Sequence, residues 1–152
     1  MNATYFHLLV NHVPLFAALF GTVCLAWGLI KSVPSLRTAG LIFLIAGSLG
    51  GWGAHISGEK AEHFVEELPG VSRKLVHEHE EAAETVHLFV IPLGLLSILA
   101  LYLDRKQSRW TLVATWVTAA FGAATFFTSV VAAETGGHIQ HSEVHPNGDQ
   151  TE

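Results

Sequence analysis

Ten histidines outnumber the eight lysines and arginines together. Neutral imidazole ligates metals without a charge penalty and also titrates near neutral pH. Several of these histidines have working spacings. Glu84-x-x-His87 puts a carboxylate and an imidazole on one helix face, one turn apart. His79 lies two turns before His87 on nearly the same face, and Glu80 one turn before Glu84. Glu-x-x-His is the unit of carboxylate-bridged di-iron bundles, which use two such pairs and two further carboxylates. His138-x-x-His141 is a second i, i+3 pair. The candidate metal set is therefore His79, Glu80, Glu84, His87, His138 and His141, a mixture suited to Fe, Zn or Cu, and to manganese. His145, in a polar tail, reads as a surface residue.

A second chemistry uses fewer protein ligands. A b-type haem needs two axial ligands on facing helices at similar depth, between apolar walls. His12, His55, His87 and His138 belong to four different helical segments at nearly one depth. His12 with His87 is the first expected axial pair, and His55 with His138 the second. Phe16, Phe89, Phe126 and Phe127 offer walls. Asn11 can fix the tautomer of His12 from outside the coordination sphere. Glu59 and Glu134 end apolar segments beside this layer. A carboxylate such as Glu134 there needs a partner or the headgroup layer, and it can serve proton transfer next to a redox centre.

The elements that position these residues are four apolar runs, about 8–30, 39–56, 86–103 and 111–133, each long enough for one helical crossing of about 30 Å. Half of the 152 residues are hydrophobic and 14% are charged, against about a quarter in soluble domains, and the mean hydropathy is +0.40. The first run lacks a basic leader and a small-x-small cleavage site, so it reads as a span rather than a signal peptide. Cys24, the single cysteine, excludes a disulfide framework and reads as a packing residue. With net charge −5 and no basic run, nucleic acid is not an expected partner. Nucleophile elbows and phosphate-binding glycine loops are absent. No charge sits mid-span, which argues against ion conduction.

Charge sets the orientation. The short connections hold Lys31, Arg37, Arg105, Lys106 and Arg109, whereas twelve of the thirteen acids lie on the other side. The positive-inside rule puts those connections in the cytoplasm and both termini outside, on the periplasmic side of a bacterial inner membrane. Trp52, Trp110, Trp116 and Tyr5 sit near span ends, as an aromatic belt does. All ten histidines then fall in the outer half.

The chain also repeats weakly, as two parallel helical hairpins. His12 and Pro14 open the first and His87 and Pro92 the second, with the two histidines 75 positions apart. Ser57-Gly58-Glu59 closes the first and Thr135-Gly136-Gly137 the second, 78 positions apart. Gly40, Gly47, Gly50, Gly51 and Gly53 in the second span permit close helix packing, or alternatively room beside a flat cofactor; packing is the favoured reading. In the outer connection, 58–85, a short helix is expected from Glu59 to Leu68, stopped by Pro69-Gly70. Ser72 then caps a helix that starts well outside the bilayer, about 48 Å long from there to Leu103. This connection forms a helical cap over the outer face, with Glu66, Glu67 and Glu81 as solvated acids. Residues 1–141 thus form the membrane domain and 142–152 a polar mobile tail. The expected fold is all-α, an integral membrane four-helix bundle of two parallel hairpins with a helical cap.

Three segments carry a resemblance. Phe6-His7-Leu8-Leu9-Val10-Asn11-His12-Val13-Pro14 resembles the His-Pro-x-x-Val-His-Phe-Pro start of an uncharacterised family of small bacterial four-helix membrane proteins. Thr135-Gly136-Gly137-His138-Ile139-Gln140-His141 is similar to that family's Gly-Gly ending with a following histidine, at a shorter gap. Ser57 to Glu62 and His79 to Ala83 resemble a related subset. The resemblance implies fold and location more than activity. The architecture also looks like that of small membrane b-type cytochromes, with the departure that these histidines cluster on one side only. The leading expectation is membrane electron transfer through b-type haem near the periplasmic face, linked to quinol or a periplasmic redox partner. A His/Glu transition-metal protein and a non-catalytic subunit of a larger membrane complex are the alternatives.

Overall fold

The computed structural model describes residues 3–66 and 71–140, which are helical apart from short connections and contain no strand. The helices are α1 (Ala3–Val10), α2 (Val13–Ile30), α3 (Pro34–Glu66), α4 (Arg73–Arg105) and α5 (Thr111–Gln140). Tyr5–Ile30, Pro34–Ala61, Arg73–Arg105 and Thr111–Ile139 are each long and apolar enough to cross a membrane.

The first apolar run is two helices rather than one. Proline lacks an N–H, and its ring clashes with the carbonyl four residues earlier. For Pro14 that residue is Val10, where α1 stops. The turn at Asn11 and His12 stays tight: Asn11 N donates to His7 O at 2.8 Å, and Phe16 N to His12 O at 3.2 Å. In α4, by contrast, Pro92 lies inside a continuous helix.

The second span and the helix expected from Glu59 are one element. α3 runs for 33 residues, about 50 Å at 1.5 Å per residue, straight through Ser57-Gly58. A glycine inside a helix costs only about 1 kcal/mol, which long-range packing overrides. Leu68, Pro69 and Gly70 lie outside the described residues. α4 begins where expected, with Ser72 extended at the N-cap, although its hydroxyl makes no capping bond.

α2 packs on α3 and α5, α4 packs on α3 and α5, and α1 lies along α3. The four long helices thus close a ring around Leu25, Leu41, Leu44, Leu93, Ala100 and Ala119. Small hydroxyl residues complete the interior. Ser97, Thr115, Thr118 and Thr125 are buried, and each donates to the carbonyl four residues back in its own helix. Large apolar side chains such as Leu8, Phe20, Leu49, Leu88, Leu95 and Phe127 face outward.

The glycines of α3 serve close approach of helices. A Cβ on Gly40 would lie 2.7 Å from both Gly21 O and Leu25 N. One on Gly47 would meet Ala17 Cβ at 2.6 Å, and one on Gly51 would meet Val90 Cγ1 at 2.8 Å. These faces are filled by neighbouring chain, so they leave no slot for a flat cofactor.

Local structure recurs between the halves. α2 ends on Lys31 and α4 on Lys106, 75 positions apart. Lys31 N donates to Trp27 O and Lys106 N to Tyr102 O. Each lysine also lies over the ring four residues back, at 5.4 Å for Trp27 and 5.9 Å for Tyr102. The next residues, Ser32 and Gln107, both take positive φ, 53° and 51°. Leu25 and Ala100, at the same spacing, are both fully buried. At this end of the bundle Arg37 also pairs with Asp104 at 3.2 Å, joining α3 to α4.

Candidate functional site

The opposite end of the bundle carries the histidines. Two of them meet across α3 and α4. The rings of His55 and His87 stack with centroids 4.0 Å apart and planes 25° from parallel. His55 Nε2 lies 3.4 Å from Glu59 Oε1, one turn on. Glu84 and His87, one turn apart on α4, line a notch of about 300 Å³ with His55 and Leu88. His87 Nδ1 is buried and has no hydrogen-bond partner among the described residues.

Two other histidines have matching seats. His7 Nδ1 lies 2.9 Å from Ala54 O on α3. Ser57 Oγ is 3.4 Å from the same nitrogen, and its hydroxyl has Gly53 O at 2.8 Å and Ala54 O at 3.1 Å as acceptors. His79 Nδ1 lies 3.0 Å from Ala132 O on α5 and 3.2 Å from Thr135 Oγ1, which donates to Ala132 O at 3.1 Å. A glycine makes room for each ring: a Cβ on Gly58 would be 3.2 Å from His7 Cε1, and one on Gly136 would be 3.0 Å from His79 Cε1. The three seat residues of α3, Ala54, Ser57 and Gly58, recur 78 positions later in α5 as Ala132, Thr135 and Gly136. A carbonyl oxygen only accepts hydrogen bonds, so in both seats Nδ1 carries the proton, and a neutral ring then keeps its lone pair on Nε2.

The remaining expected residues are placed as follows. His12 sits exposed at the α1–α2 turn with Nδ1 2.5 Å from Asn11 Oδ1. His79 and His87 do not share a face. Eight residues rotate a helix by about 80° beyond two full turns, which sends His79 to α5 and His87 to α3. Glu80 turns to His77 at 3.2 Å, and Glu81, exposed, lies 3.4 Å from the same ring. His138 is half-buried in the last turn of α5, and Glu134 is exposed. His141 and His145 lie outside the described residues.

The layer therefore unites His55, Glu59, Glu84 and His87, and separates His79 and Glu80 from them. Among the described residues no three His, Cys, Asp or Glu side chains are grouped to hold a metal ion. Haem iron needs only two protein ligands, because the macrocycle supplies four nitrogens. The stacked His55 and His87 rings do not fit that role as they stand, since no plane separates them. His7 and His79 each have Nδ1 against a helix carbonyl, the contact by which a ligating histidine is oriented. Sequence reasoning placed His7 in the outer layer and did not select it, and it did not single out Ser57 or Thr135 as ring partners. The spacing of Ser57-Gly58 and Thr135-Gly136 was the available signal. No family model, curated protein or solved structure matches the chain.

Proposed function

We propose that the chain is a multi-pass membrane protein of two parallel hairpins that transfers electrons through a b-type haem held by histidines at its periplasmic face. Membrane insertion is supported by four long apolar helices, an apolar exterior and an interior of small hydroxyl residues and glycines. The observation that carries the haem reading is the form of the histidine layer. Imidazoles from α1, α3 and α4 gather at one end of the bundle, where His55 and His87 stack and His7 and His79 each set Nδ1 against a helix carbonyl. His12, His55, His87 and His138 remain ligand candidates within it. Quinol or a periplasmic redox protein is the expected electron partner, because the layer sits at the face that both can reach. The test is the visible spectrum of protein purified from haem-replete cells. A Soret band with a reduced α-band is expected, and its absence sinks the proposal.

A second reading is a transition-metal ion bound at the notch, where His87 Nδ1 is buried with no hydrogen-bond partner among the described residues. Elemental analysis separates the two: about one equivalent of zinc, copper or iron without porphyrin absorbance selects the ion.

A further inference from the structure

We infer that the groove between α1 and α3 binds one phospholipid with an anionic headgroup, its phosphate on Lys60 and an acyl chain along the apolar face below. The inference rests on the membrane part of the reading above and is independent of the haem. The groove lies where the first apolar run breaks. α1 stops at Val10 and lies along α3, leaving a trough of about 520 Å³, within the range of about 300–1,000 Å³ typical of small-molecule sites. Leu49, Trp52, Ile56 and Lys60 follow one another at intervals of three and four, so they share one face of α3. That face runs about 16 Å from Leu49 to Lys60. Phe6 of α1 forms the other wall, and Gly53 adds no side chain to fill the space: a Cβ there would lie 3.7 Å from Phe6 Cε1. Leu49, Trp52 and Ile56 are exposed, so the track is open to a lipid chain.

Charge selects the occupant. Lys60 is the one charged residue that lines the groove, and it stands at the outer end of the apolar track. It makes no ion pair among the described residues; its neighbour Glu59 turns instead to His55 at 3.4 Å. A lysine stem lies along apolar surface while its ammonium reaches the headgroup layer, and a tryptophan such as Trp52 suits the same depth. A quinone ring would need hydrogen-bond donors for its carbonyls. Ser57, the other polar residue of the lining, already donates to helix carbonyls, Gly53 O and Ala54 O. A single cation above an apolar track matches a phosphate above an acyl chain. One lysine near a membrane surface favours an anionic lipid by about fivefold in affinity.

The test is tryptophan quenching by lipids brominated on their acyl chains. Protein purified in detergent is titrated with brominated phosphatidylglycerol or brominated phosphatidylcholine. Of the four tryptophans, Trp27, Trp110 and Trp116 lie toward the other end of the bundle, so Trp52 reports the groove. Wild type should show saturable quenching, about fivefold tighter for phosphatidylglycerol. Trp52→Phe should remove the saturable part. Lys60→Met should bring phosphatidylglycerol to the phosphatidylcholine level, and Lys60→Arg should keep the preference. Gly53→Leu, which fills the trough, should weaken both lipids while the helical circular dichroism stays unchanged. Equal affinity for the two lipids in wild type, or a preference that survives Lys60→Met, overturns the proposal. So does inorganic phosphate that displaces phosphatidylglycerol at equal concentration, which would mark a site for free anions. Disulfide-linked dimers of Ile56→Cys in a Cys24→Ala background would seat a second copy in the groove and overturn it as well. A protein that stays dispersed without detergent and is quenched by neither lipid overturns the membrane reading itself.

Discussion

Asp104 is the one acid, among the described residues, at the end of the bundle that holds Lys31, Arg37, Arg105, Lys106 and Arg109. Its carboxylate and the Arg37 guanidinium are about one-sixth exposed, at 16% and 17%. Such a pair stands between surface bridges, worth 0–1 kcal/mol, and buried ones, whose disruption costs 3–5 kcal/mol. Asp104→Ala should destabilise the protein by about 1–3 kcal/mol, because it strands Arg37. Adding Arg37→Met should recover most of that loss, and thermal unfolding in detergent reads the cycle. Strictly additive losses would show that the two side chains do not interact. Single residues were otherwise unevenly legible. Asn11 beside His12 was readable because the contact is between neighbours. The seat of His7 was not readable, because its partners lie 47 and 50 positions away and only the fold brings them to the ring.

At the scale of elements, helix contacts are set by glycine. Gly40→Ala would push a methyl against backbone of α2 at 2.7 Å, and backbone cannot rotate aside. It should cost about 1–3 kcal/mol by overpacking. Gly137→Ala meets nothing within 4 Å and should instead stabilise by up to about 1 kcal/mol through helix propensity. Unfolding midpoints of the two variants should therefore move in opposite directions; movement the same way would contradict the packing described. The four long apolar helices and the start of α4 were legible from hydropathy and from Ser72. Two boundaries were not. The break before Pro14 lies within an apolar run, so hydropathy passes over it while proline sterics impose it. Gly58 resembles a helix end in sequence, but in the fold it is an interior residue whose missing side chain admits the ring of His7.

For the whole molecule, charge asymmetry makes a claim about sidedness. In a Cys24→Ala background, Ser72→Cys should react with a membrane-impermeant maleimide in intact cells. Ser35→Cys and Gln107→Cys should react only after permeabilisation, since the positive-inside rule puts their connections in the cytoplasm. The reverse pattern would invert the orientation and move the histidine layer to the cytoplasmic face. The recurrence of local structure between the two halves has a mechanical consequence as well. Two polar contacts tie α3 to α4, the Arg37–Asp104 pair at one end and the His55–His87 stack at the other. By the internal spacings of 75 and 78, the corresponding positions on α2 and α5 are Leu29 with Thr115 and His12 with Ala133, which form neither an ion pair nor a ring stack. The ring of helices thus has one seam clasped at top and bottom and a second, otherwise equivalent seam without those clasps. Opening of the bundle should therefore cost least at the α2–α5 seam, which lacks the two clasps that hold α3 to α4.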